Sequence, residues 1–210
     1  MNLKQKASEI LAQLKLIYPG ATCSLNYQTP LQLLVATILS AQCTDERVNR
    51  VTPSLFERFP DAPSLAHCEI LELEALIKST GFYHNKAKNI QNACRKIVAD
   101  FASEVPKSMD ELTTLSGVAR KTANVVLAHA FGINAGVTVD THVKRLSQRL
   151  GLTNYSDPIR IEKDLMKLLP QLEWENMSIH LIYHGRAICK ARKPDCLSCQ
   201  IFDLCDKKQI

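Results

Sequence analysis

Four cysteines, Cys189, Cys196, Cys199 and Cys205, stand within 17 residues in the run CKARKPDCLSCQIFDLC, spaced C-x6-C-x2-C-x5-C. The N-terminus lacks the long apolar stretch of a secretory signal, so four clustered thiols point to a metal site rather than to disulfides. Zinc commonly takes two facing C-x2-C pairs, and this run offers one. A compact all-thiolate loop equally suits an iron–sulfur cluster. Spacing alone leaves the two open. The other four of the eight cysteines, Cys23, Cys43, Cys68 and Cys94, are scattered through helical or near-helical sequence. They read as small buried hydrophobes of a reducing compartment.

Cations crowd the same loop: Lys190, Arg192 and Lys193 lie between the first two cysteines, with Arg186 just before them. A metal would present them together, and phosphate neutralisation by Lys and Arg dominates nucleic-acid affinity. A solvated basic loop is the plain alternative.

A second lysine has a different setting. In LSGVARKTANVV (residues 115–126), Gly117 permits a tight turn, and the chain then enters a helix at Arg120 and Lys121. Free N–H groups and the positive dipole end make such a helix start attractive to phosphate. A helix over 108–115 precedes it, opened by Ser108 and Glu111 in capping-box spacing, so the unit reads as a helix–hairpin–helix. Such a unit grips a nucleic-acid backbone without reading sequence. At about 100° per residue, Ala123, Val126, Leu127 and Ala130 form one buried stripe. Lys121 falls nearly opposite, beside Val125 and Ala128, which predicts that it projects into a cleft. Desolvation there, Arg120 and the helix end would disfavour its ammonium form and leave a nucleophile able to form a Schiff base. The alternative is a stem snorkelling to solvent.

Nineteen residues on, VDTHV places Asp140 immediately before a helix starting at Thr141. It reads as an N-cap whose backbone partners keep the carboxylate ionised. A fixed anion and a neutral amine are what displacement at a sugar carbon needs: stabilisation of an oxocarbenium-like centre and help with proton transfer.

The elements that must hold these residues are helical. Leu3, Ala7, Ile10, Leu11 and Leu14 define an amphipathic first helix ended by Pro19-Gly20. Helical spacing continues over 31–41, 45–59 with Thr44 as N-cap, 70–79, 86–101, 141–150, 157–169 and 174–189. Only GVTV (136–139) looks like a strand, and it is too short to build a sheet. The expectation is an all-α, two-lobed body with the cysteine module attached. The apolar run at 31–41 is far short of the roughly 20 residues of a membrane span, which predicts a cytosolic chain. With 26 Lys+Arg against 21 Asp+Glu, a net charge of +5 permits an anionic partner without requiring one.

Together LSGVARKTANVVL, VDTHVKR and the cysteine run, with ILSAQCTD (38–45) and TGFYHNKAKNI (80–90), resemble the endonuclease III family of bifunctional DNA glycosylases. The resemblance runs over essentially the whole chain. It implies the two-lobed helix–hairpin–helix glycosylase fold: a six-helix domain over 23–135 with the hairpin at about 108–133, and a second domain of 1–22 plus 136–210. It also implies a monomeric, cytoplasmic, nucleoid-associated enzyme that removes oxidised pyrimidines from duplex DNA and then cuts the strand at the abasic site. Lys121 matches the family's Schiff-base lysine, Asp140 its essential aspartate, and the four cysteines its [4Fe–4S] ligands. Gln42 matches the glutamine that fills the gap left by the flipped base. Phe82 matches a wedge position that is usually aliphatic. A flipped base leaves a hole and an unstacked step, which gives both roles a physical reason. Without the resemblance, Gln42 reads as a polar helix end and Phe82 as a core aromatic.

Two departures stand out. The family's hairpin reads Leu-Pro-Gly-Val-Gly, whereas Ser116 and Ala119 replace the proline and the second glycine here. Alanine at 119 is harmless with helical angles and distorting if φ must be positive; helical angles are the expectation. DNA contacts are expected from Gly117, Ala119, Arg120, Arg192 and Lys193. A monofunctional adenine-mismatch relative would lack the lysine at 121. A non-catalytic DNA-binding module would have no need of both Lys121 and Asp140.

Overall fold

The computed structural model describes residues 1–207. Among them are eleven α-helices, three short 3-10 turns and no strand. In chain order they are α1 (Leu3–Ile17), α2 (Pro30–Leu39), α3 (Asp45–Arg58), α4 (Ala62–His67), α5 (Ile70–Ile77), α6 (Tyr83–Asp100), α7 (Met109–Leu112), α8 (Arg120–Phe131), α9 (Thr141–Arg149), α10 (Pro158–Leu168) and α11 (Trp174–Ala187). The fold is all-α, as periodicity predicts. Residues 136–139 are irregular chain, anchored where the Thr138 N–H donates to Ser178 Oγ at 2.8 Å. Two compact units divide the molecule: Cys23–Ile133, and Met1–Thr22 joined to the chain from Asn134 onward.

In the first unit α2 is the centre. Thr29 caps it by accepting from the Gln32 N–H, Pro30 opens it, and every residue from Leu33 to Leu39 is buried. A helix apolar all round must be wrapped by others, and α3, α6 and α8 do so. Thr44 caps α3 by accepting from the Arg47 N–H, as its position predicts, and Asp45 and Glu46 complement the positive end. Helix α4 went unread in the sequence because six residues carry too little periodicity. Its start signal was nonetheless there, in the Asp61–Ser64 capping box and Pro63. It packs along α6, which begins at Tyr83, three residues before the sequence suggests.

The second unit buries one face from each of four helices: Ala7, Ile10, Leu11 and Leu14 of α1, Val143 and Leu146 of α9, Ile161 and Leu165 of α10, and Met177 and Leu181 of α11. Helix α11 lies against both α9 and α1, and α1 also meets α10. Ile201, beyond the last helix, closes this core and ties the cysteine segment to it.

Candidate functional site

The hairpin between α7 and α8 is built as its sequence implies. Ser108 accepts from the Glu111 N–H and its hydroxyl reaches the Glu111 carboxylate at 2.7 Å, fixing the start of α7. Leu112, Leu115 and Val118 bury the turn from below. Gly117 has φ +77, and a Cβ there would sit 2.9 Å from Asn89 Cβ, so both conformation and space require glycine. Ala119 is the N-cap of α8 at φ −88, ψ 169, extended rather than helical as expected. No positive φ is needed, so alanine fits without distortion. Its methyl group makes no cap bond.

Lys121 departs from expectation. It is exposed, in the first turn of α8, beside exposed Arg120. Burial on α8 begins at Ala123 and continues through Asn124, Val126 and Leu127, the face that packs on α2. Helical phase identified the opposite face correctly, but phase cannot say what covers that face, and within this unit nothing buries Lys121.

Gln42 and Phe82 share an unusual backbone. Both are non-glycine residues at positive φ, 53° and 49°. Both are exposed, Phe82 at 64% of its surface, so the core-aromatic reading of Phe82 does not hold, whereas Gln42 is an exposed polar residue just past the end of a core helix. A bulky residue held in the left-handed region costs about 1–3 kcal/mol and tends to mark functional sites. Gln42 lies in the turn that follows α2; Phe82, with Gly81 at φ +70, forms the turn that opens α6.

In the other unit Asp140 caps α9, one carboxylate oxygen accepting from the Val143 N–H at 2.8 Å. The residue is half-buried. Burial pushes the neighbouring His142 imidazole below its usual range, against the pull of Asp140 and with the help of Arg145 and Arg186.

The cysteine segment folds round one cavity, lined by Cys189, Cys196, Cys199 and Cys205 with Leu146, Leu150, Ile188, Ile201 and Phe202. Buried Arg149 fixes its beginning, donating to the Lys190 and Ala191 carbonyls at 2.8 and 3.1 Å. Arg145 donates to the Cys189 carbonyl at 2.9 Å. His184 Nε2 faces Cys199 Sγ at 3.4 Å, its Nδ1 faces the Tyr18 hydroxyl at 3.1 Å, and burial lowers its pKa to about 4. Burial pushes the thiols of Cys199 and Cys205 up, and the nearby cysteines push them further. Four thiolates here would be costly without a cationic group between them, so the donor set fits an iron–sulfur cluster. Among the described residues no group of three or more His, Cys, Asp or Glu side chains is placed to hold a single metal ion.

The family model of the HhH-GPD superfamily base excision DNA repair proteins matches residues 35–171. The chain belongs to this superfamily. Endonuclease III of Synechocystis sp. is 73% identical over 98% of this chain and 94% of its own length. Endonuclease III of Bacillus subtilis is 44% identical over 100% of this chain and 95% of its own. Among solved structures, a non-covalent endonuclease III–DNA complex matches with a TM-score of 0.93 at 44% identity, covering 99% of this chain and 97% of that one. A trapped endonuclease III–DNA covalent intermediate matches with the same TM-score at 43% identity, and with the same coverage of both chains.

In this HhH-GPD chain Gln42, Phe82, Gly117, Ala119, Arg120 and Lys121 lie in one unit, and Asp140, Arg192, Lys193 and the four clustered cysteines in the other. Arg192 and Lys193 are exposed, Lys193 at φ 52°. Of the scattered cysteines only Cys94 is fully buried, its thiol pushed up to about 12 by burial and then by Cys68; Cys23, Cys43 and Cys68 are half-buried. Sequence reasoning passed over Arg145, Arg149 and His184, whose signal was faint: polar residues on otherwise apolar faces of α9 and α11. It also passed over Lys86, which is 5% exposed. There the signal was clear, because the stripe Ile90, Ala93 and Ile97 extended one turn back reaches Lys86.

Proposed function

We propose that this base-excision repair enzyme removes oxidised pyrimidines from duplex DNA with Lys121 as nucleophile and Asp140 as its essential anion. The observation that carries the reading is the combination of Lys121, on the first turn of a glycine-hinged hairpin helix, with near full-length likeness to an enzyme trapped covalently on DNA. Once its ammonium has given up a proton, Lys121 Nζ attacks C1′. The glycosidic bond breaks, the base leaves with the electron pair, and it gains a proton. Opening of the sugar ring leaves an imine between Nζ and C1′. That imine acidifies C2′, whose proton is lost as the 3′ C–O bond breaks and the phosphate departs. Hydrolysis of the imine frees Lys121. Asp140, its carboxylate fixed in place by the cap bond from the Val143 N–H, stabilises positive charge on the sugar as the base leaves.

Gly117, Ala119 and Arg120 hold the DNA backbone at the start of α8, and Arg192 and Lys193 add phosphate contacts. Gln42 fills the gap left by the extruded base, and Phe82 wedges the stack. Cys189, Cys196, Cys199 and Cys205 would hold a [4Fe–4S] cluster, whose contribution is to tie this basic loop into a fixed shape. The bacterial relatives support a cytoplasmic enzyme, and a duplex DNA substrate would bring it to the nucleoid.

Borohydride reduction during incubation with duplex bearing an oxidised pyrimidine should give a covalent protein–DNA adduct in the wild type and none in Lys121→Ala. A wild type that gives no adduct on either damaged or abasic DNA overturns the lysine assignment. Iron and sulfide analysis of anaerobically purified protein tests the cluster, and stoichiometric zinc in place of iron overturns it.

A further inference from the structure

Among the described residues Lys86 has no carboxylate partner, yet it is buried on the apolar stripe of α6. Its ammonium donates to two carbonyls, Leu39 O and Thr80 O, each at 2.8 Å. Leu39 ends α2 and Thr80 ends the 3-10 turn Lys78–Thr80, so both acceptors are terminal carbonyls at the negative ends of helical segments. That field is what stabilises a cation where burial lowers its pKa. Three residues after Leu39 comes Gln42, and two residues after Thr80 comes Phe82, both exposed and both at positive φ. The Lys86 N–H also donates to the Phe82 carbonyl at 3.1 Å, so backbone and side chain of one residue grip the Phe82 turn from both sides.

We propose that Lys86 is a positioning residue that locks the Gln42 and Phe82 turns to each other, so that filling the gap and wedging the stack happen as one event. This rests on the reading of Gln42 and Phe82 as the pair that enters the duplex. Two strained turns on separate elements would otherwise open independently, each losing its bulky residue's conformation. A single ammonium with several rotatable donors suits the task, since it satisfies two orphan carbonyls at once without adding a planar group to the core.

The test uses the full chain with its cluster and compares single-turnover rates on two duplexes. One carries dihydrouracil, whose base must be extruded; the other carries a preformed abasic site, which has no base to unpair. In Lys86→Met, with melting temperature and visible absorbance retained, base removal should slow about tenfold, the size of coupling between neighbouring residues. Strand cleavage at the abasic site should stay near the wild-type rate. Adding Gln42→Ala to Lys86→Met should slow base removal by less than the product of the two single effects. Lys86→Gln keeps an N–H donor, and it carries the same comparison if Lys86→Met does not fold. Wild-type base removal in Lys86→Met, a parallel fall in both rates, or fully multiplicative penalties would each overturn the lock. If Gln42→Ala and Phe82→Ala both remove the base at the wild-type rate, the duplex-probing reading fails first and the lock falls with it.

Discussion

The Arg149 guanidinium donates to Cys189 Sγ at 3.4 Å, from a side chain that also satisfies the Lys190 and Ala191 carbonyls. The last turn of α9 therefore shapes the beginning of the cysteine loop through protein contacts alone. Arg149→Met should leave the helical core folded but release iron faster under chelator, followed by loss of visible absorbance. Each acceptor left unpaired costs about 1–3 kcal/mol. Arg149→Lys should not rescue it, because a single ammonium lacks the planar fork that reaches several acceptors together. Iron retention equal to wild type in Arg149→Met would show that the cluster orders the loop by itself.

Asp140 combines a cap with a charge, and the two can be separated. Asp140→Asn keeps an N-cap acceptor and removes the anion, so thermal stability should hold while base removal collapses. Asp140→Ala should lose base removal and also about 0.5–2 kcal/mol of stability. Denaturant titration beside single-turnover kinetics gives both readouts. Equal destabilisation by the two variants would remove the capping account.

Ala119 leaves the start of α8 without a side-chain cap. Ala119→Ser should raise stability by about 0.5–2 kcal/mol through a new bond to the first-turn N–H groups. Those same groups are the proposed phosphate donors, so affinity for duplex should fall as stability rises. Fluorescence anisotropy at fixed salt checks this, and a serine that improves both would argue that phosphate binds elsewhere.

Gly117→Ala should damage the hairpin more than any other single methyl added to it. The φ of +77° and the approach to Asn89 combine, for a cost of about 1–3 kcal/mol. Asn89→Ala leaves Cβ in place, so it should relieve only part of that loss. Urea denaturation of both single variants and the double variant measures the coupling.

Glu173 receives Lys15 Nζ at 2.6 Å and Asn176 Nδ2 at 2.8 Å. The Lys15 bond, with Asn176 and the Lys15 and His180 charges, holds its pKa below the usual value of 4.5 against the opposing effect of burial. A carboxyl lowered on folding contributes stability that is present above its unfolded pKa and lost as pH falls through the folded value. Glu173→Gln should therefore lower stability at neutral pH by at most about 1 kcal/mol, since the pair is partly solvated. The gap to wild type should close as pH drops below 4.5. A gap that is constant with pH would mean that the carboxylate charge contributes nothing.

Most helices were legible because caps and stripes coincide: Thr44 before α3, Ser108 before α7, and Asp140 before α9. Helix α4 was lost to its shortness. Lys121 and Lys86 show the limit of helical phase from opposite sides. Lying across from an apolar stripe, Lys121 is expected in a cleft and is exposed, the snorkelling alternative, whereas Lys86 lies on a stripe and is buried. Phase gives the direction of a side chain, and only tertiary packing decides what waits there. The positive φ of Gln42 and Phe82 could not be read at all, since neither glutamine nor phenylalanine advertises the left-handed region as glycine or asparagine does.

The Met1–Thr22 segment forms one compact unit with chain that begins at Asn134. During synthesis α1 therefore leaves the ribosome with Ala7, Ile10, Leu11 and Leu14 uncovered. At roughly 5–20 residues per second it waits on the order of ten seconds for α9, α10 and α11. The Cys23–Ile133 unit can close on itself in that interval. The cysteine segment emerges after α11, so loading of the proposed cluster would come once the helices of both units are out, and iron starvation should accumulate chains with a finished hairpin unit and an unsealed second one.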